Sequence, residues 1–380
     1  MLDPIHPFPA RMAPEIAFNF LEELKPGSLV LDPMCGSGVS LRSAVMRDHQ
    51  SIGVDADPLA VLMSRVWTDN HRHRHLREYA EEVIERAERR SDLHVPWHDE
   101  DETKPFVDFW FARKQRNQLS RLTLSIKQSK SLPVYVREAM YVAVSRLIIT
   151  KTKGASLAWD VSHSRPHIKK TENDFDVMSE FLKSCDAISK KLANNKSNWE
   201  CSVKRGDARN LALPDASVDA IITSPPYMNA IDYMRGHRLS LVWLGHSLDS
   251  LRMVRSKAIG TEVTRDIQAE RKTSAHKQPD RKTQRLMDQY IHDLAALSRE
   301  LKRVAKPKAK VCIITANSNL HGYEVPTNKL VQAAAAGAGL RLESETVRPI
   351  PQTSRYLPVK TKNRALKARM MEEHIQYFVA

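Results

Sequence analysis

The sequence predicts an α/β protein in which a parallel sheet is interrupted by a mainly helical insertion, and three observations carry that prediction. Two short apolar runs, 28–31 and 51–54, each end in an aspartate-bearing turn and lead into a helix-compatible stretch, and successive βα units imply parallel strands. After residue 67 the pattern gives way to long, charged, helix-favouring segments. At residue 203 the strand pattern resumes and continues to the end of the chain.

Taken in order, run 28–31 leads into Asp32-Pro33-Met34-Cys35-Gly36-Ser37-Gly38, and 39–47 then has helical spacing with few breakers. Run 51–54 ends at Asp55-Ala56-Asp57-Pro58, and 59–67 is the second helix. Residues 68–198 hold helical stretches at 76–90 and 134–149, broken by Pro-, Ser- and Asp-rich segments at 91–105 and 154–174. An insertion of that size far exceeds an ordinary α/β connection and divides the chain into 1–67 plus 199–380 and an inserted 68–198. Val203 then leads into Gly206-Asp207-Ala208, and 218–222 leads into Thr223-Ser224-Pro225-Pro226-Tyr227. A helix over 231–244 follows, and then a polar, basic stretch, 246–286, is expected to be a mobile loop. A helix at 286–304, a strand at 310–315, an alanine-rich helix at 329–336 and strands at 340–347 and 374–379 complete the chain.

Composition limits the function. With 42% apolar and 27% charged residues over 380 positions the chain is not disordered, and no apolar run approaches the eighteen or so residues of a membrane span. Its start lacks the basic and apolar regions of a secretory signal, so a cytoplasmic location with reduced thiols at Cys35, Cys185, Cys201 and Cys312 is expected. The net charge of +14 is concentrated: 251–310 carries 16 Lys/Arg against 7 Asp/Glu, and 352–370 carries 6 Lys/Arg and no acid. Two such stretches on an otherwise nearly neutral chain point to a phosphate-rich partner.

Two turns carry the candidate chemistry. Glycines between a strand and a helix let backbone approach a ligand closely, and an acid at the end of the next strand can accept hydrogen bonds from ribose hydroxyls. Gly36 and Gly38 meet the first condition, and Asp55, 23 positions after Asp32, meets the second. Asp32 at the mouth of the turn would repel a pyrophosphate and instead suits a cationic ligand, such as the ammonium and sulfonium groups of S-adenosyl-L-methionine. In the second turn, Pro225 and Pro226 remove two backbone donors and stiffen the chain, leaving carbonyl oxygens and the Ser224 hydroxyl as acceptors beside the Tyr227 ring. That arrangement suits a flipped base, stacked on the ring, with its exocyclic amino group held by the acceptors.

Together these residues resemble the DNA amino-methyltransferases, the N4-cytosine and N6-adenine enzymes of restriction-modification systems. The resemblance covers residues 5–67, 203–245 and, more weakly, 286–347. It implies the seven-stranded class I methyltransferase (Rossmann-like) sheet with its last strand antiparallel, S-adenosyl-L-methionine as cofactor and double-stranded DNA as partner, alongside cognate restriction or defence components. It also implies residue roles. His6, Pro9 and Ala10, within the stretch from His6 to Met12, would help hold the methionine part of the cofactor, and Asp32, Pro33, Met34, Cys35, Gly36, Ser37 and Gly38 would form the cofactor loop. Asp55 with Ala56 would take the ribose, Asp207 with Ala208 the adenine, and Ser224, Pro225, Pro226 and Tyr227 would be catalytic.

By the same resemblance, serine at the first catalytic position, Ser224, favours cytosine N4 over adenine N6, and by its size the insertion is a candidate target-recognition region. An RNA methyltransferase with the same core and a non-catalytic DNA-binding defence subunit are the alternatives. C5-cytosine methylation needs a nucleophilic thiolate, and no Pro-Cys pair occurs. The alternation His71-Arg72-His73-Arg74-His75 reads as a solvated basic segment and not a metal site, since interleaved arginines repel a cation.

Overall fold

Strand β1, Leu29–Asp32, and strand β4, Val218–Thr223, are buried along nearly their whole length, as expected of central strands covered on both faces. They pair in parallel with Leu31 opposite Ile221. On one side β1 pairs in parallel with β2 (Gln50–Asp55), and β2 with β3 (Cys201–Arg205). On the other side β4 pairs in parallel with β5 (Ala305–Thr315). Strand β7 (Glu372–Val379) then runs antiparallel between β5 and β6 (Arg341–Pro349). The spatial order β6-β7-β5-β4-β1-β2-β3, with one antiparallel strand next to the edge, is the class I methyltransferase sheet. The computed structural model describes residues 2–7, 11–71, 73–148, 150, 153–159, 167–168, 171–193, 195, 199–228, 232–261, 280–320, 323–350 and 371–380.

Alternation along the strands divides the core. Val30, Ala220, Ile222, Cys312 and Ile314 meet helix α1 (Pro14–Glu22) through Ile16, Ala17, Phe20 and Leu21. Their neighbours Leu31, Ile221, Val311 and Ile313 face the opposite way. There they meet α11 (Arg281–Val304), whose buried Leu286, Tyr290, Leu294, Leu297 and Leu301 form one stripe at helical spacing. Helix α2 (Val39–Met46) follows β1, and α3 (Pro58–Thr68) follows β2, with the Asp57 carboxylate accepting from the Leu59 amide as an N-cap.

Between α3 and β3 lie α4 (Leu76–Glu88), α5 (Thr103–Trp110), α6 (Arg113–Gln128), α7 (Val134–Ile148) and α8 (Val177–Leu192). Their apolar faces share one cluster with Leu59, Met63, Val66 and Trp67 of α3 and with Leu239 and Leu241 of α9 (Tyr233–Leu241). Residue 67 is therefore a change of sequence pattern and not a packing boundary. Trp110 and Trp243 are buried in this same cluster.

Two expectations are corrected. The stretch 246–261 is not a loop: Ser247 caps α10 (Leu248–Lys257) by accepting from the Ser250 amide, and Leu248 and Leu251, three apart, bury one face. Two of its basic side chains already have partners, Arg255 with Asp232 and Arg252 with Asp249, and the backbone carbonyl of Lys257 accepts from Arg209. The remainder of that stretch up to 279, and the basic 352–370, lie outside the described residues. The histidine run is not simply solvated either. His73 is buried and shares Asp69 with His71, whose ring stacks on Tyr135 at 4.1 Å. Among the described residues, no helix is long and apolar enough to cross a membrane.

Phe181 of α8 is fully buried in the cluster shared with α3 and α9. Phe181→Ala should cost about 3–5 kcal/mol and lower the urea midpoint of insertion and sheet together, in one transition. Two separated transitions, followed by tyrosine and tryptophan fluorescence and by circular dichroism, would contradict a shared core.

Candidate active site

In open α/β sheets ligands bind beyond the carboxyl ends of the strands, where the strand order reverses. Here that point lies between β1 and β4, and both candidate turns leave from it. Residues 33–38 connect β1 to α2, and Ser224–Tyr227 leaves β4. Gly38 has φ +88°, and a Cβ there would lie 2.8 Å from Ser64 Oγ and 3.1 Å from Ser64 Cα on α3, so only glycine suits both the backbone and the space. Ser64 in turn donates to the Gly36 carbonyl at 2.8 Å.

Asp55 ends β2 facing this loop. One carboxylate oxygen accepts the Gly36 amide at 2.8 Å and the other the Asp57 amide at 2.9 Å. A carboxylate oxygen has two acceptor sites, so each retains one for a further donor, as vicinal hydroxyls require. Burial, with the nearby Asp57 charge adding to it, pushes Asp55 up to about 7 against the pull of those two amides. Ala56, next along, is exposed, and the Gly206 amide bonds to the Asp55 carbonyl at 3.0 Å, which joins the ends of β2 and β3.

Asp32 departs from expectation. It is 2% exposed, and its carboxylate is directed inward: Oδ1 accepts from the Met34 amide at 3.1 Å and from Thr223 Oγ1 at 2.9 Å, and Oδ2 accepts from the Ser40 hydroxyl. Burial pushes it up to about 6, although these three donors oppose the shift. Asp32 is therefore a brace within the protein and not an acid open to a cationic ligand. Cys35 is buried in the same loop, its thiol pushed well up by burial and by the acids beside it, and it is no nucleophile.

His6 is buried and bonded to the helical region. Its Nε2 pairs with Ser145 Oγ of α7 at 3.0 Å, Ser145 donates to Ser240 of α9, and Arg146 donates to the Ile5 carbonyl. Burial holds the imidazole neutral, with His237 and Arg146 reinforcing the effect. His237 bonds Asp57, so the N-terminal segment and the cap of α3 lie at one buried polar junction. Pro9 and Ala10 lie outside the described residues.

At the end of β3, the Asp207 carboxylate is gripped by Arg209 through Nε at 2.9 Å and Nη2 at 2.7 Å, while Ala208 is buried. Arg209 also reaches Asp293 of α11 at 2.5 Å and the Lys257 carbonyl at 2.7 Å. In the second turn, Pro225 is buried, Ser224 and Tyr227 are half-buried and share a hydrogen bond, and burial pushes the Tyr227 phenol up so that it stays neutral. Tyr290 of α11 donates to the Pro226 carbonyl at 3.1 Å. Arg209, Tyr290 and His237 were all missed in the sequence, and Thr223 was read there only as the start of the second turn. Only Tyr290 had a signal there, since a tyrosine on a buried helical stripe must find a partner for its hydroxyl.

Three curated relatives resemble the chain over most of its length. The type II methyltransferase M.BsoBI of Geobacillus stearothermophilus is 23% identical, covering 86% of this chain and 76% of that protein. M.MvaI of Kocuria varians is 24% identical over 86% of this chain and 79% of that protein. M.AvaI of Nostoc sp. is 22% identical over 90% and 79%. The chain is similar to these type II methyltransferases along most of its length. Among solved structures, a SAM-dependent methyltransferase from Methanosarcina mazei aligns at a TM-score of 0.36 and 10% identity, covering 97% of this chain and 98% of that one. That superposition is too loose to add to the strand order. No family model matches the chain.

The Asp55 shift predicts a pH effect on stability. A carboxyl whose folded value lies near 7 and whose unfolded value lies near 3.8 binds more protons when folded, so it lowers stability as pH rises from about 4 to 7 and adds nothing further above that. The stability of Asp55→Asn relative to wild type should therefore increase between pH 5 and 8, by about 1.4 kcal/mol per pH unit at most. A difference in urea unfolding free energy that is flat across this range would mean that Asp55 is already ionised at pH 5.

Proposed function

We propose that this protein is a site-specific DNA methyltransferase that transfers the methyl group of S-adenosyl-L-methionine to an exocyclic amino group, with cytosine N4 as its target, in double-stranded DNA. The observation that carries the reading is the Thr223–Asp32 hydrogen bond, which keeps the 33–38 loop and the Ser224–Tyr227 turn side by side. The cofactor supplies an electrophilic methyl group. Asp55 fits its ribose, with one acceptor site left on each oxygen after the Gly36 and Asp57 amides. Residues 33–38 bring backbone close to the ligand, and Asp207 and Ala208 border the adenine side.

An aromatic amine is a poor nucleophile because its lone pair is delocalised into the ring. Ser224 Oγ and the Pro225 carbonyl accept hydrogen bonds from its two N–H groups, favour a pyramidal nitrogen and aim the lone pair, while the neutral Tyr227 ring stacks on the flipped base; as the N–C bond forms the S–C bond breaks, and one amine proton is released to solvent. No covalent bond to the protein forms. Serine in place of aspartate at position 224 supports cytosine N4 over adenine N6. The 68–198 region is our candidate for target recognition, supported by α6, whose sequence holds five Lys/Arg and no acid, with Arg113 and Lys114 exposed. The basic 352–370 is a candidate for backbone contacts.

The test is mass spectrometry of nucleosides from the DNA and RNA of a methylation-deficient bacterial host expressing wild type or Ser224→Ala. N4-methylcytosine should appear in DNA with the wild type and fall at least a hundredfold with the variant, whose cofactor dissociation constant should stay within about threefold. N6-methyladenine would replace the base assignment and leave the chemistry, and a mark confined to RNA would replace the substrate.

A further inference from the structure

Two prolines leave the catalytic turn with an anchoring problem. Pro225 and Pro226 have no N–H, so this stretch can be held only through its carbonyls and side chains. Their rings fix φ, and the torsions that remain soft are the ψ angles. The Pro226 carbonyl lies in the same peptide plane as the Tyr227 amide, so anchoring that oxygen fixes ψ of Pro226 and the direction in which Tyr227 begins. Tyr290 supplies the anchor, donating to it at 3.1 Å from a side chain only 1% exposed.

We propose that Tyr290 is a positioning residue for methyl transfer, its hydroxyl holding the Pro226 carbonyl so that Ser224, the Pro225 carbonyl and the Tyr227 ring meet the target base in one fixed arrangement. This rests on the methyltransferase reading of the turn. A phenylalanine would fill the same apolar space, and a buried hydroxyl is unfavourable unless bonded, so the oxygen of Tyr290 has its use at the turn and not in the core. Burial, together with Tyr227 and Asp293, raises its phenol and keeps it a donor. The bond is covered as well: Gly260, at φ +72°, passes so close that a Cβ there would lie 3.4 Å from the Pro226 oxygen, 3.5 Å from the Tyr227 oxygen and 3.7 Å from the Tyr290 ring. Three residues along the same helix, Asp293 holds Arg209 and through it Asp207. One rigid element therefore sets the spacing between the catalytic turn and the end of β3.

Tyr290→Phe tests this with two readouts on full-length protein. By hydrogen exchange and mass spectrometry, peptides covering Tyr227 and Met228 should exchange about tenfold faster in the variant, while peptides from β1 and β5 keep their wild-type rates. In single turnover with cofactor and duplex DNA, methyl transfer should slow about tenfold, with both dissociation constants within twofold of wild type. Unchanged exchange at the turn, or a transfer rate within twofold of wild type, overturns the proposal. So does a variant whose melting temperature and both affinities fall together with the rate, the pattern of a residue needed only for packing. Failure of the function proposed above has a different sign, a wild type that transfers no methyl group, and the exchange comparison does not depend on it.

Discussion

The carboxylate of Asp32 joins three parts of the protein that the chain keeps far apart. It receives the hydroxyl of Ser40 in the first turn of α2, the hydroxyl of Thr223 at the end of β4 and the amide of Met34 in the loop between. The result is a loop and a turn, from strands nearly two hundred residues apart in sequence, held together beyond the carboxyl ends of two central strands. The bonds have their electrostatic counterpart: burial raises the carboxyl to about 6, so the brace is an ion kept where water would hold it more comfortably. Its three donors offset part of that penalty. With Asp55 raised to about 7 one strand away, two strained carboxyls flank the loop, which is where a site built for a ligand is expected to depart from the best choice for stability.

Around this brace the structure is tied together by elements that each serve two sites. Helix α11 covers one face of the sheet with its leucine stripe and also presents Tyr290 to the catalytic turn and Asp293 to Arg209. The cap of α3, Asp57, holds both its own helix and His237 of α9. The insertion shares a core with α3 and α9, so whatever it contacts on its outer surface is mechanically continuous with the elements that border the site. Helix α10 extends that continuity, with Ser247 and Leu248 against the insertion and the Lys257 carbonyl on Arg209.

Much of this was legible in the sequence. The strand pattern marked all seven strands of the sheet, with only the start of β5 five residues earlier than expected, and the glycine and proline turns marked the two candidate turns, because those residues restrict the backbone wherever they occur. The errors were of one kind. The basic stretch after residue 246 reads as a loop on charge alone, yet two leucines and a serine cap make it a helix. Asp32 reads as a charge offered to a ligand, because a sequence does not show which way a side chain turns.

The sequence by itself determined the alternation of strand and helix, the chemical types at both turns and the concentration of positive charge, all of which depend on local periodicity and residue identity. Tertiary structure decided which partners those residues bond. Asp32, read as open to a cationic ligand, is bonded to Thr223, and His6 is bonded to Ser145. The physical reason is that a buried polar group must find its partner, and the partners here come from strands and helices that lie beside it only once the sheet has formed.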